Sequence, residues 1–256
     1  MSPKIYFNGC SQVENSHLAL ETDDWVEQSW PQLVANGLNA EYRNDAISLG
    51  SNNRLLRTTI DGILEYKPDI VVAGITEASR IELPMVNGDR CRINIDNCYS
   101  EQGSGTKQFH HTWFKDNHND WLSFIATLQT VYQLKMLQQV HGFKLFLFNT
   151  VAHNWFDSWQ LLVSDSFFAK SSHHALKGKQ DWLYSQYTLK ANLEQTQVQR
   201  LVDEIESLNW ILPWNYSLYK LTIDNNWDSD RFGHPALSTQ LKVAELFLQR
   251  INEWEN

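Results

Sequence analysis

The chain has 256 residues and a net charge of −9. This acidic balance argues against nucleic acid as a partner, because phosphate backbones are bound by clustered Lys and Arg side chains. The sequence lacks both a signal-peptide pattern and the run of about 18 apolar residues that a membrane helix needs, so we expect a cytoplasmic protein without a membrane partner.

Strand and helix patterns alternate along the first third of the chain. The apolar strand Lys4–Asn8 enters a glycine turn, and a helical pattern follows over residues 18–34. Residues 40–47 form a second predicted strand, and the apolar period over residues 54–67 predicts another helix. The continuous apolar run over residues 69–75 is typical of a parallel strand covered on both faces.

The rest of the chain combines regular elements with two irregular segments. Residues 85–118 and 155–193 lack periodicity. We interpret the first as an insertion over the active edge of the sheet and the second as an insertion that is a candidate second lid. The remaining predicted elements are a helix near residues 121–132, a strand at 143–148, a helix at 196–208, a fifth strand at 219–223 and a helix at 237–251. This alternation predicts one domain over residues 1–256, built on a mostly parallel five-stranded sheet.

Two segments far apart in the sequence carry candidates for nucleophilic chemistry. Ser11 follows the glycine turn after the first strand, and His234 precedes the last predicted helix. An α/β sheet gathers the carboxyl ends of its strands along one edge and binds ligands there, so the two residues can meet. A serine hydroxyl becomes a nucleophile when a neighbouring base takes its proton. His234 would be this base, and Asp230, or Asp228 as the second choice, would orient its ring.

Cysteines and other histidines offer competing sites. Cys10 adjoins Ser11 and is an alternative nucleophile, provided that a helix N-terminus stabilises its thiolate. The chain has three cysteines, which cannot all pair, and no C-x-x-C motif, so a reducing compartment is favoured. The remaining candidate ligands lack metal-binding spacing and are interpreted as solvated loop residues: His110, His111, His118, His173 and His174. We therefore expect no metal.

Four short blocks resemble, in order, those of the SGNH (GDSL-like) hydrolases. The first block, normally Gly-Asp-Ser, is Gly9-Cys10-Ser11, and the second, a glycine after the second strand, lies within residues 44–52. The third, normally Gly-x-Asn-Asp, is Gly74-Ile75-Thr76-Glu77. The last, normally Asp-x-x-His-Pro, is Asp230-Arg231-Phe232-Gly233-His234-Pro235. More narrowly, the chain looks like a divergent branch familiar from marine phages and bacteria, on the residues Gly50, Ser51, Asn52, Arg54, Gly74, Thr76, Arg80 and Glu82.

The resemblance implies a three-layer α/β/α sandwich with the flavodoxin-like SGNH fold, a Ser11–His234 or Ser11–His234–Asp230 centre, and no cofactor. It implies hydrolysis of an ester through an acyl-enzyme on Ser11. Two alternatives stay open: an O-acyltransferase that uses the same residues on a sugar, and a non-catalytic carbohydrate-binding or structural module that retains the fold. The sequence does not predict the oligomeric state.

The blocks depart from the family pattern at the oxyanion hole. The family pattern implies that the oxyanion accepts hydrogen bonds from the N–H of Ser11 and from the N–H of the second-block glycine, which is Gly50 or its neighbour Leu49. Thr76 stands where the family has an Asn side chain, and its hydroxyl can donate one hydrogen bond over a shorter reach. Asn52 is a further candidate donor. The spacing from Asp230 to His234 is one residue longer than usual.

The substrate is predicted only by class. Eleven tryptophans are many for this length, and they serve either core packing or the stacking of sugar rings. Because tryptophans occur in the insertions, an acylated carbohydrate or another small ester is the expected substrate. Arg54, Glu77 and Arg80 are candidates for binding it, for example by clamping an anionic group. Structural ion pairs, such as Arg80 with Glu82, are the alternative interpretation.

Overall fold

The computed structural model describes residues 2–78, 80–84, 90–93, 120–150, 198, 200–214, 216–230 and 233–254. In chain order, the strands of these ranges are β1 (Lys4–Asn8), β2 (Glu41–Asn44), β3 (Ile70–Ile75), β4 (Ile81–Pro84), β5 (Arg90–Ile93) and β6 (Lys144–Asn149). The helices are α1 (Ser11–Glu14), a 3₁₀ helix (Ser16–Leu20), α2 (Trp25–Gln28), α3 (Trp30–Gly37), α4 (Asn52–Tyr66), α5 (Asp120–His141), α6 (Leu218–Asp224) and α7 (Leu237–Glu253). Residues 200–206 are also helical.

The main sheet is parallel, with the strand order β2-β1-β3-β6. All six residues of β3 are buried, as expected for a parallel strand covered on both faces. The carboxyl ends of the strands lie along one edge, where Asn8 pairs with Ala73 and Ile75 pairs with Asn149. A separate antiparallel pair is formed by β4 and β5.

Side-chain alternation along the strands builds two cores. On one face Tyr6, Val71 and Leu145 belong to a cluster that includes residues of α4, α5 and the helical segment 200–206. On the other face Phe7 and Phe146 belong to a cluster that includes residues of α3 and α7. Successive strand residues point to opposite faces, so β1, β3 and β6 each supply side chains to both cores. The predicted three-layer α/β/α sandwich is confirmed.

Trp30 is the largest side chain of the second core and is fully buried. Its ring packs edge-on against Phe7 and Phe148, with centroids 5.6 and 5.7 Å away, and lies 4.4 Å from the ring of Phe247. Its indole N–H donates to the carbonyl of Gln12 over 2.9 Å. This tryptophan therefore serves core packing and also fixes the backbone just after Ser11.

The predicted fifth strand at residues 219–223 is wrong, because this stretch belongs to helix α6. Ser217 begins the helix, and its hydroxyl accepts a hydrogen bond from the N–H of Lys220. Within the described residues, the main sheet has four strands instead of the predicted five. Beside β6, single parallel bridges from Trp210 to Leu147 and from Ser217 to Asn149 occupy the position of a fifth strand.

The helix predicted over residues 18–34 is interrupted. The 3₁₀ helix ends at Leu20, α2 ends at Gln28, and Ser29 is extended with ψ of 143° before α3 begins at Trp30. Pro31 lacks an N–H and is tolerated only in the first turn of a helix, which requires a break just before it.

Both predicted insertions, 85–118 and 155–193, lie almost wholly outside the described residues, apart from β5. The same holds for the histidines at 110, 111, 118, 173 and 174. Among the helices that the structure does describe, none combines the length and the apolar character that crossing a membrane requires.

Candidate active site

Ser11 is the first residue of α1, directly after the turn that leaves β1. The turn is fixed by the fully buried Asn8, whose Oδ1 accepts from the N–H of Gly9 over 2.9 Å and whose Nδ2 donates to Oγ1 of Thr59 in α4 over 2.9 Å. As the first residue of a helix, Ser11 has an N–H without an intrahelical acceptor. The strand-to-helix turn thus presents both the hydroxyl and the N–H of Ser11 at the carboxyl edge of the sheet.

His234 lies between Ser11 and Asp230 in one hydrogen-bonded chain. Its Nε2 is 2.8 Å from Oγ of Ser11, and its Nδ1 is 2.8 Å from Oδ2 of Asp230. A carboxylate only accepts, so Nδ1 carries the ring proton and the lone pair of Nε2 faces the serine hydroxyl. The structure therefore joins the three residues predicted for the catalytic centre in the order that proton transfer requires. Asp228 instead accepts from Ser238 over 2.6 Å.

The turn from Asp230 to His234 accommodates the longer spacing. Oδ1 of Asp230 accepts from the backbone N–H of His234, and the N–H of Asp230 donates to the carbonyl of His234, each over 3.0 Å. Gly233 closes the turn with φ of 73°, a left-handed conformation that favours glycine. An added Cβ there would also come within 2.2 Å of two ring atoms of Tyr219. The carboxylate of Asp230 thus reaches the ring of His234 despite the longer spacing.

Hydrogen bonds around the candidate catalytic residues tie the Ser11 segment to the His234 segment. Nε2 of Gln12 donates to the carbonyl of Gly233 over 3.1 Å, and Nε2 of His17 lies 3.0 Å from the carbonyl of Pro235. These contacts bracket the His234 position on both sides in sequence. Sequence reasoning missed Gln12 and His17, because a single Gln or His gives no periodic signal and the contacts span more than 200 residues.

Cys10 is fully buried, and its Sγ lies 3.3 Å from Oγ1 of Thr150. The Thr150 hydroxyl donates onward to the carbonyl of Ile75 over 3.0 Å. A buried thiol that is engaged in this way is poorly placed to attack a substrate. The geometry therefore favours Ser11 over the alternative nucleophile, and Cys10 links β1 to the ends of β3 and β6.

Thr76 and Asn52 meet at the end of β3. The side-chain amide of Asn52 accepts from the N–H of Thr76 and donates to its carbonyl, each over 2.9 Å. It also donates to Oγ1 of Thr127 over 3.1 Å. Asn52 is therefore engaged in holding the backbone of Thr76. The hydroxyl of Thr76 is itself buried and has no hydrogen-bond partner in the described part of the chain.

Gly50 lies against the turn that carries Ser11. An added Cβ would be 2.6 Å from the carbonyl oxygen of Gly9 and 2.9 Å from that of Ile47. Only glycine allows this close backbone approach. The N–H of Gly50 donates to the carbonyl of Ile47 over 2.9 Å, so donation to an oxyanion would require that this bond be shared or broken.

The charged candidates near the site form ion pairs. The Nε of Arg80 lies 3.6 Å from a carboxylate oxygen of Glu77, and about nine-tenths of each side chain is buried. Arg54 donates to the carbonyl of Asp45 over 2.9 Å and lies 4.0 Å from Glu82. Arg80 thus pairs with Glu77 rather than with Glu82. The carboxylate partner of Arg54 is Glu82. Within the described ranges, no group of three or more His, Cys, Asp or Glu side chains is arranged to hold a metal ion.

Comparisons with known proteins concern the fold of the chain. Residues 19–134 match the model of a family of unknown function, DUF6071. No curated protein matches the sequence significantly. Among solved structures, TesA is 12% identical, with 98% of each chain covered and a TM-score of 0.50. The psychrotrophic esterase EstA from Pseudoalteromonas sp. is 10% identical over 99% of each chain, with a TM-score of 0.48.

A catalytic mutant of the acetylxylan esterase Axe2 from Geobacillus stearothermophilus is 14% identical, over 97% of this chain and 94% of that one, with a TM-score of 0.49. At these identities a structural likeness establishes the fold and leaves the activity open. The SGNH-type fold that the four sequence blocks indicate is confirmed by the match to TesA.

Proposed function

We propose that the protein hydrolyses esters with Ser11 as the nucleophile, His234 as the general base and Asp230 as the group that orients His234. The observation that carries this proposal is the continuous chain from Oγ of Ser11 through the ring of His234 to Asp230, with 2.8 Å at both links. Such a chain satisfies the geometric requirement for an activated serine, a base within hydrogen-bond reach that is oriented by a third group.

In the first half-reaction, Oγ of Ser11 attacks the ester carbonyl while Nε2 of His234 takes its proton. The imidazolium then gives this proton to the leaving alcohol, and an acyl-enzyme remains on Ser11. Asp230 keeps Nδ1 protonated and stabilises the imidazolium. In the second half-reaction His234 activates water, which releases the acid and regenerates the serine. With a sugar hydroxyl in place of water, the same residues would transfer the acyl group.

We assign the hydrogen bonds to the oxyanion to two donors, the N–H of Ser11 and the hydroxyl of Thr76. The Thr76 hydroxyl is buried and lacks a hydrogen-bond partner in the described ranges, which supports a role in meeting a group that arrives with the substrate. Gly50 and Asn52, which were candidate donors, are assigned supporting roles. Gly50 permits the close approach of the Gly9 carbonyl, and Asn52 holds the backbone of Thr76.

For the substrate we propose a small ester, with acylated carbohydrates as the class to be tested first. The support is the sequence alone, in which tryptophans such as Trp155, Trp159 and Trp182 lie in the second insertion, where indole rings could stack on sugars. The buried Arg80–Glu77 pair is a candidate contact for polar groups of that substrate.

Labelling with a fluorophosphonate probe tests the nucleophile without knowledge of the substrate. The wild type should form a covalent adduct that mass spectrometry maps to Ser11. The adduct should be lost in Ser11→Ala and reduced at least about a hundredfold in His234→Ala, since the serine then lacks its base. Ser238→Ala is the matched control, because Ser238 bonds to Asp228 and not to the ring of His234.

A wild type that forms no adduct with the probe would favour the second candidate function, a non-catalytic carbohydrate-binding module. The engaged N–H of Gly50 and the engaged amide of Asn52 are the observations in its favour, because they leave few free donors for an oxyanion. A folded wild type that forms no adduct and turns over no acetylated sugar, but still binds one after Ser11→Ala, would replace the hydrolase proposal.

A further inference from the structure

His17 packs directly on the proposed catalytic base. Its ring is stacked on that of His234, with centroids 4.9 Å apart and the planes inclined by 25°. Its Nε2 lies 3.0 Å from the carbonyl of Pro235, the residue after His234. His17 comes from the 3₁₀ helix that follows α1, so the segment that supplies Ser11 also supplies a second ring. One side chain thus contacts both the ring of His234 and the backbone next to it.

The hydrogen bond assigns the tautomer of His17. A backbone carbonyl only accepts, so Nε2 carries the proton, and Nδ1 of the neutral ring is unprotonated. Nδ1 is buried and has no hydrogen-bond partner in the described part of the chain. A proton on Nδ1 would therefore be a buried charge without a hydrogen-bond acceptor, which is unfavourable.

Burial and neighbouring groups shift the pKa of His17 in opposite directions. Burial is the largest cause that lowers the pKa of His17 below its ordinary value, and a positive charge on His234 lowers it further. The carbonyl of Pro235 and the carboxylates of Asp230 and Glu21 raise this pKa, but the net shift is downward. His17 is therefore neutral at neutral pH.

We propose that His17 is a positioning residue for His234, which fixes the plane of the catalytic ring and, by staying neutral, stabilises the imidazolium that forms during catalysis. This inference rests on the proposed hydrolase function. The neutral ring presents a π face to the developing positive charge, an arrangement that is attractive for a cation. A protonated His17 would instead place two like charges 4.9 Å apart. The hydrogen bond to Pro235 holds the stacked ring in place.

Three substitutions separate the two contacts. His17→Ala removes both, His17→Gln retains a donor for the Pro235 carbonyl without a ring, and His17→Phe retains the stacked ring without a donor. We expect His17→Ala to slow phosphonylation of Ser11 by a fluorophosphonate by at least about tenfold, and we expect Gln and Phe each to restore part of the rate. With 4-nitrophenyl acetate the loss should fall on kcat with KM little changed. His141→Gln, at the exposed end of α5, is the control.

Thermal unfolding of the His17 variants separates a positioning role from a purely structural one, because it identifies variants that are simply misfolded. If the folded His17→Ala protein reacts at the wild-type rate, or if neither Gln nor Phe restores a lost rate, the positioning role is overturned.

A second readout does not need an active enzyme. Long-range ¹H–¹⁵N NMR spectra of the histidine rings should show His17 as the neutral Nε2–H tautomer at about pH 7. Its titration midpoint should move upward in His234→Gln, because a repelling charge is removed. A His17 that is charged at neutral pH, or whose midpoint does not move, contradicts the inference. If the wild type never reacts with the probe but these spectra are as expected, the hydrolase proposal fails and the electrostatic coupling of the two rings stands.

Discussion

Nε2 of Gln12 donates a hydrogen bond of 3.1 Å to the carbonyl of Gly233, so the residue after Ser11 is tied to the residue before His234. Both groups are buried, and they join segments that are 221 residues apart in the sequence. The distance from Ser11 to His234 therefore depends on a contact made by their neighbours.

Replacing Gln12 with Met should remove this hydrogen bond while keeping an unbranched side chain of similar length. The Gly233 carbonyl loses a donor, which costs about 1–3 kcal/mol. The change also removes the Gln12 Oε1, which is buried without a hydrogen-bond partner in the described residues, and this offsets part of the loss. We expect a small decrease in thermal stability and a clear fall in the rate of Ser11 phosphonylation. An unchanged rate would show that the contact does not position the site.

Asp230→Asn should lower kcat by about 10³-fold or more, because an amide can donate to Nδ1 and thereby favour the wrong tautomer of His234. Oδ1 still accepts from the N–H of His234, so the turn should be retained. Asp228→Asn is the matched control, since Asp228 accepts from Ser238. Rates of ester hydrolysis measured side by side check the prediction, and equal losses in the two variants would contradict the assignment of Asp230.

Thr76→Val should affect activity and stability in opposite directions. Removing a buried hydroxyl that has no partner in the described chain should leave stability unchanged or raise it by up to about 1 kcal/mol. Losing an oxyanion donor should lower kcat by about 10²-fold. Thr76→Ser keeps the hydroxyl and should retain most of the activity. A Val variant with full activity would remove Thr76 from the proposed oxyanion hole.

Gly50→Ala should damage the site through the backbone. The new Cβ would lie 2.6 Å from the Gly9 carbonyl oxygen, so the turn before Ser11 must shift. We expect a loss of about 1–3 kcal/mol in stability together with slower phosphonylation. Gly142→Ala is the control: it has φ of 77° and no heavy atom within 4 Å of the added Cβ, so stability alone should fall, by about 1 kcal/mol. Denaturant unfolding and probe kinetics test both variants.

The partly buried ring of His17 should make the fold less stable in mild acid. Its pKa is lowered from 6.5 on folding, chiefly by burial, so between the two pKa values the unfolded chain binds more protons. Stability then rises with pH. The contribution of the neutral His17 ring to stability is complete above 6.5, the pKa in the unfolded chain, and is lost as the pH falls through the lowered pKa of the folded state. In His17→Gln, Tm should fall less between about pH 7.5 and 5.5 than in the wild type. An identical fall would contradict this.

Local patterns in the sequence were sufficient for much of the fold. The apolar run that became β3 and the helical period that became α4 each reflect the periodicity of a single element, so both were predicted to within two residues. The stretch at 219–223 was misjudged because its alternating apolar residues suit a strand, whereas the capping hydroxyl of Ser217 and the surrounding packing select a helix.

The sequence by itself determined the class of fold and the residue types available at the carboxyl edge of the sheet, because strand ends can be read from local periodicity. Only the tertiary structure decided that Asp230 rather than Asp228 meets His234, that Asn52 supports Thr76, and that His17 stacks on the base. Each of these depends on the direction of a side chain in three dimensions. Most also join residues distant in the sequence, and such contacts leave no periodic trace in the chain.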